Sequence, residues 1–140
     1  MGVLKERGAL ELVLLTDYRG ALRQRQQIWQ SLDVEKLRGL LRGKGVSTEV
    51  LRFEDVASGG VVLEGRTIHY TSTQDAGYRP FVDDILFHLD PRNRLIPRYE
   101  IFRAHENKGF QELMRRRLDL PALPAAYFGN EKGLDGFAAG

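Results

Sequence analysis

The sequence predicts an α/β domain built on a mainly parallel sheet of about four or five strands flanked by helices. Three observations predict it. Residues 10–15, LELVLL, form a short and nearly continuous apolar run, the pattern of a strand buried on both faces. A striped helix over 31–42 and an alternating strand over 46–53 follow, and strand, helix, strand at this spacing is a βαβ unit. A second striped helix, Arg79–Leu89, follows the alternating segment at 67–71.

The bulk properties fit one such domain. At 140 residues the chain is long enough to bury a core without staples. It has no cysteine, which removes disulfides and thiolate metal sites and suits a reducing cytoplasm. The net charge of +2 is near balance and points away from nucleic acid or an anionic membrane as main partner. No apolar run approaches the roughly 20 residues of a membrane span. The opening residues MGVLKERGALE hold too short an apolar stretch for a signal peptide.

The first strand opens into Thr16, Asp17, Tyr18, Arg19 and Gly20, a polar loop containing glycine. Parallel sheets place ligand groups at such strand ends, and a plain turn is the alternative reading. Residues 21–30, ALRQRQQIWQ, favour a short helix or an ordered lid, with Trp29 read as packing. Val34, Leu37, Leu40 and Leu41 stripe the next helix. Ser31 or Asp33 suits its start, and Gly43 or Gly45 its left-handed end. Residues 54–60 read as a loop in which Asp55 caps a short turn. The β-branched stretches 61–63 and 67–71 flank Glu64-Gly65-Arg66 and read as a hairpin. The second arm runs into Ser72, Thr73, Gln74, Asp75, Ala76, Gly77 and Tyr78, a second polar loop after a strand. In a parallel sheet it opens on the same edge as the loop at 16–20.

Pro80 fits the first turn of the helix Arg79–Leu89, where a missing amide costs nothing. Val82, Ile85, Leu86 and Leu89 form its buried stripe. Asp83 and Asp84 point about 100° apart on a helix, which argues for a solvated face rather than a catalytic carboxylate pair. Asp90-Pro91 ends the helix, residues 92–94 turn the chain, and residues 95–97 form a short strand.

Several constellations carry no chemistry. His69, His88 and His105 lack partners at metal-ligand spacing. No dinucleotide or Walker A pattern occurs. Gly59-Gly60 reads as a turn, and Ser58 and Ser72 sit in no nucleophile motif. The basic cluster at Arg115, Arg116 and Arg117 reads as a helix end facing water, since no aromatic–basic interleaving accompanies it.

The segment 103–130 reads differently. His105-Glu106-Asn107-Lys108 precedes a helical face of Phe110, Leu113, Met114 and Leu118. Leu120-Pro121 stops that helix, and a short apolar strand over 122–128 follows. In order and spacing this resembles the start of the nucleotide-binding part of ATP-grasp ligases, where an Asn/Asp-Lys pair opens a helix that ends in an apolar-Pro step. The resemblance divides the chain into three parts. Residues 1–104 resemble the pre-ATP-grasp, Rossmann-like domain, residues 105–130 the start of the ATP-grasp region, and residues 131–140 a flexible tail rich in glycine and alanine.

The resemblance implies an ATP-dependent ligase that activates a carboxylate as an acyl phosphate for attack by an amine or thiol. It puts a phosphate contact on Lys108, and implies ATP and Mg²⁺ as cofactors of a full-length enzyme, with none tightly bound here. It implies substrate binding by Thr16, Asp17, Tyr18, Arg19, Ser72, Gln74, Asp75 and Arg79. Arg19 and Arg79 suit an anionic group, because guanidinium binds carboxylate in bidentate fashion. The family's later lysine, its glycine-rich loop and its acidic and asparagine magnesium ligands do not follow Phe128. The chain is therefore expected to be inactive alone, working with ATP-grasp domains in cis or on a partner chain, with a homodimer left open. The competing expectation is a stand-alone α/β module that binds a small ligand or a protein.

Overall fold

A computed structural model describes residues 10–23, 31–105, 107–121 and 126–139. The chain forms two compact units, Met1–Tyr99 and Glu100–Gly140. The first carries a four-stranded sheet, all parallel, in the order β2-β1-β3-β4. The strands are β1 (Leu10–Thr16), β2 (Val46–Arg52), β3 (Thr67–Tyr70) and β4 (Arg94–Ile96). Helices α1 (Val34–Gly43), α2 (Phe53–Ala57) and α3 (Arg79–Leu89) flank them. The α/β class with a parallel sheet is thus the observed architecture.

The apolar run at 10–15 is explained by its place. β1 pairs with β2 from Leu10↔Val46 to Thr16↔Arg52, and with β3 from Leu12↔Thr67 to Leu15↔Tyr70. Its backbone groups are satisfied on both sides, and Val13, Leu14, Leu15 and Thr16 are all 0% exposed. With both faces covered, alternation has no use. Val13, Ile68 and Leu95 align across β1, β3 and β4 as one buried row. α3 adds Val82, Ile85, Leu86 and Leu89 to the core, each side chain stabilising by about 1.5–3 kcal/mol on full burial.

α1 begins at Asp33, whose side chain accepts from the Lys36 amide at 2.9 Å, and Gly45 follows it at φ 76°. Its stripe is only half covered, and Leu40 stays 62% exposed. The helix lies against the edge strand β2, to which Arg38 Nε ties it by donating to Thr48 Oγ1 at 3.0 Å.

The expected hairpin does not form. Residues 61–64 make no strand, and both sides of β3 are taken by β1 and β4. Asn93 is the physical reason. Its Nδ2 donates to the carbonyls of Leu63 and Leu89, both at 2.9 Å, and its Oδ1 accepts from the Arg66 amide at 3.0 Å. The Gly65 amide donates to the Arg92 carbonyl at 2.8 Å. The segment before β3 is thus clipped to the turn before β4. The loop expected at 54–60 is largely α2, with Asp55 Oδ2 accepting from the Arg52 amide at 2.8 Å. Of the helix or lid expected at 21–30, residues 24–30, with Trp29, lie outside the described residues; Leu22 makes an isolated antiparallel bridge to Leu32.

The second unit is helical where it is described. α4 (Tyr99–Ala104) leads into it, followed by α5 (Lys108–Arg117) and α6 (Glu131–Ala139). Helix α6 covers residues 131–139 of the stretch expected as a tail. Most of the strand expected at 122–128 lies outside the described residues, and residues 126–128 are irregular. α5 stops at Leu118, and Asp119 takes the left-handed conformation at φ 51°. Among the described residues no helix is long and apolar enough to cross a membrane.

Candidate functional site

The strand order locates the site. β1 is followed by β2 on one side of it and by β3 on the other, so the winding reverses between β1 and β3. In open parallel sheets ligands bind outside the carboxyl ends of strands at such a reversal. The loops after β1 and β3 both start there, and these are the two polar loops singled out in the sequence. Tyr18 and Tyr78, one from each loop, meet edge to face with ring centroids 5.4 Å apart.

The first loop is held by Asp17. Its Oδ1 accepts from the amides of Arg19 at 2.9 Å and Ala21 at 3.0 Å, and its Oδ2 from Arg23 Nε at 2.5 Å. Asp17 and Arg23 are a buried pair, their side chains 11% and 8% exposed. Gly20 completes the turn at φ 74°, where a side chain would be strained. Asp17 therefore shapes the loop. Thr16 is structural too, donating from Oγ1 to the Leu51 carbonyl on β2 at 3.0 Å. Tyr18 and Arg19 face solvent, and the Arg19 guanidinium lies 5.2 Å from the Tyr18 ring centroid. Arg23 lies 5.9 Å from the centroid of the same ring.

The second loop is held by Asp75. Its Oδ1 accepts from the amides of Gly77 at 3.0 Å and Tyr78 at 3.3 Å, and its own amide donates to Thr73 Oγ1 at 3.1 Å. The Arg79 guanidinium donates from Nη1 to the Thr73 carbonyl at 2.9 Å, bracing the same loop. Ser72 is buried and Gln74 half-buried. Of the eight substrate residues expected from sequence, Asp17, Tyr18, Arg19, Ser72, Gln74 and Asp75 lie on these two loops, Thr16 ends β1 and Arg79 begins α3. Thr16, Asp17 and Asp75 serve loop geometry, and Tyr18 and Arg19 are the most open.

One charged residue of the rim was not singled out in the sequence. Glu54 sits in the first turn of α2, directly beyond the end of β2. Its Oε1 accepts from the Tyr78 hydroxyl at 2.7 Å. Its Oε2 is buried and meets no hydrogen-bond donor among the described residues. Burial first, and then the neighbouring Glu54 carboxylate, push the Tyr78 phenol far above its ordinary pKa, so it stays protonated as a donor. Phe53 and Phe81 complete the surroundings, their ring centroids 6.5 and 5.4 Å from that of Tyr78. The available signal was position: a residue immediately after a strand of a parallel sheet lies on the ligand edge.

A cavity of about 320 Å³ lies elsewhere, lined by Arg38, Arg42, Gly45, Val46, Ser47 and Thr48. It is at the start of β2, the opposite sheet edge from the rim, and Arg38 is already engaged by Thr48 and Glu35.

Lys108 belongs to the second unit. It is exposed and is the first residue of α5, where Asn107 Oδ1 accepts from the Phe110 amide at 2.9 Å. An Asn-Lys pair does open this helix. Gly109 is closely covered by the Tyr127 ring, which leaves no space for a Cβ. At the other end of α5, Glu112 is held by Arg115 and Arg116, and the Arg115 bonds above all lower its carboxyl to about 2. Among the described residues no three His, Asp or Glu side chains are grouped to hold a metal ion.

Set against known proteins, the chain matches no family model, no curated protein and no solved structure.

Proposed function

We propose that this chain supplies the substrate-binding side of an ATP-dependent ligase of the ATP-grasp type, which joins a carboxylate to an amine or thiol. The observation that supports it most is the meeting of the two polar loops at the β1/β3 reversal, with Tyr18 against Tyr78. Arg19 and Arg79 bring guanidinium groups suited to a substrate carboxylate. Lys108, at the head of a capped helix, suits a nucleotide phosphate. In such a reaction the γ-phosphoryl group passes from ATP to a carboxylate oxygen, leaving ADP. The amine or thiol then attacks the acyl carbon and expels phosphate. The nucleotide and its Mg²⁺ are held by ATP-grasp domains in cis or on a partner chain. The absence of cysteine suits a cytoplasmic setting.

A ligand screen by melting temperature tests this, with dicarboxylates, amino acids, short peptides and nucleotides. A ligand at about 100 times its Kd that binds only the native form adds about 2.7 kcal/mol of stability. Small carboxylates should raise the melting temperature, and Arg19→Ala should remove most of that shift. A flat response to every carboxylate would sink the proposal. The second reading, a stand-alone α/β binding module, is favoured by the rim lying wholly within the first unit. It predicts ligand shifts that added nucleotide leaves unchanged.

A further inference from the structure

A second site lies away from the rim, between the last turns of α1 and the start of β2. The two elements enclose the cavity of about 320 Å³, and its lining holds two arginines, Arg38 and Arg42, two hydroxyl residues, Ser47 and Thr48, and no carboxylate. Arg38 and Arg42 are four residues apart on α1, so they are neighbours on one helix face. The donors are within reach of solvent. Arg42 and Ser47 are exposed, Thr48 is half-buried and the Arg38 side chain is 30% exposed.

The two arginines differ in what they are already doing. Arg38 Nε donates to Thr48 Oγ1 and Nη1 to Glu35 Oε1, both at 3.0 Å. A guanidinium carries five N–H donors, so Arg38 is fixed in place with donors to spare. Thr48 accepts from Arg38 and keeps its own hydroxyl proton to give. The Arg42 side chain makes no hydrogen bond or ion pair among the described residues. Capping the helix does not occupy it either. The carbonyls of Leu41 and Arg42 accept from the amides of Lys44 and Gly45, both at 3.0 Å. Like charges four residues apart repel, and Glu35 answers only one of them. An anion between the arginines removes that imbalance. The α1 dipole opposes it with roughly half a unit charge, less than the full charge of Arg42.

We propose that this cavity binds the phosphate group of a small phosphate monoester, with Arg38 as the fixed guanidinium and Arg42 as the unspent one. Donors converge from two elements, the helix and the strand. A tetrahedral anion with three open oxygens meets them better than a planar carboxylate with two, and arginine forks suit phosphate. The volume is at the lower end of ligand pockets and exceeds what a bare phosphate fills, which leaves room for the group that carries it. The site stands at the start of β2 and does not depend on the reading of the rim.

The test uses the full chain and nitrogen-detected NMR, with glycerol 3-phosphate, inorganic phosphate and acetate as probes. Concentrations stay low and chloride holds the ionic strength, because phosphate also stabilises proteins by exclusion from their surface. With glycerol 3-phosphate, the Nε–H resonances of Arg38 and Arg42 and the backbone amides of residues 45–48 should move to saturation. Arg42→Ala should weaken this binding by about tenfold or more, the usual loss for a charged hydrogen bond. Alanine at an exposed helical position keeps the fold, and Arg19→Ala, at the rim, should bind the probe as the parent does. Unmoved resonances in the parent protein overturn the proposal. So does an undiminished affinity in Arg42→Ala, or acetate bound as tightly as glycerol 3-phosphate. Inorganic phosphate bound without glycerol 3-phosphate overturns the assignment to an ester.

Discussion

Asp17 does at residue scale what a longer loop would need several groups to do. One carboxylate takes two backbone amides and the Arg23 guanidinium, all within six residues. Because the pair is buried, removing one partner leaves the other as an uncompensated charge. Asp17→Ala should therefore cost roughly 3–5 kcal/mol, read from the urea midpoint, with Arg23→Ala close behind. The double variant should cost clearly less than the sum, since it strands neither charge. An additive result would mean that the two groups stabilise the loop separately. The contrast with Arg19 is instructive. Both arginines approach the Tyr18 ring, but Arg23 is locked to the Asp17 carboxylate, whereas Arg19 faces solvent.

At the scale of elements, α5 is the clearest case of a helix specified locally. Asn107 takes the Phe110 amide, and three arginines fill the last turn, where the dipole favours cations. Asn107→Ala should lower the stability of this helix by about 0.5–2 kcal/mol, and Asn107→Asp should largely restore it. Amide exchange at Phe110 is the direct measure, and an unchanged protection there would refute the capping role. What the sequence made legible follows the same division. β1, α1 and α3 were readable because their signals are local: an apolar run, a cap, a stripe. The region 61–66 was misread because its partner is remote. Asn93 reaches back 27 and 30 residues to Arg66 and Leu63, and no local pattern encodes that clip. The rim behaves alike. Its loops were visible as glycine-containing polar segments after strands, but the Tyr78–Glu54 bond spans 24 residues and joins the loop after β3 to the first turn of α2, which only the strand order brings together.

At the scale of the whole molecule, the sheet makes acidity a global matter through His69. It lies on β3 between Leu14 of β1 and Ile96 of β4, in the middle of the sheet. Burial pushes its imidazole below the ordinary value, only partly opposed by the Ile96 backbone. The unfolded chain returns this side chain to about 6.5. Between the lowered folded value and about 6.5, the unfolded state binds the proton and the native state does not, so stability rises with pH across that window. Above it both states are neutral and the slope vanishes. Acidification from pH 7.5 into this window should thus weaken the parent protein more than His69→Gln, which cannot take up the proton. Urea unfolding of both at several pH values isolates the difference from the carboxylates they share. Parallel pH profiles would show that the sheet accommodates a charged imidazole, whereas convergence of the two stabilities on acidification would place the proton at the centre of the fold.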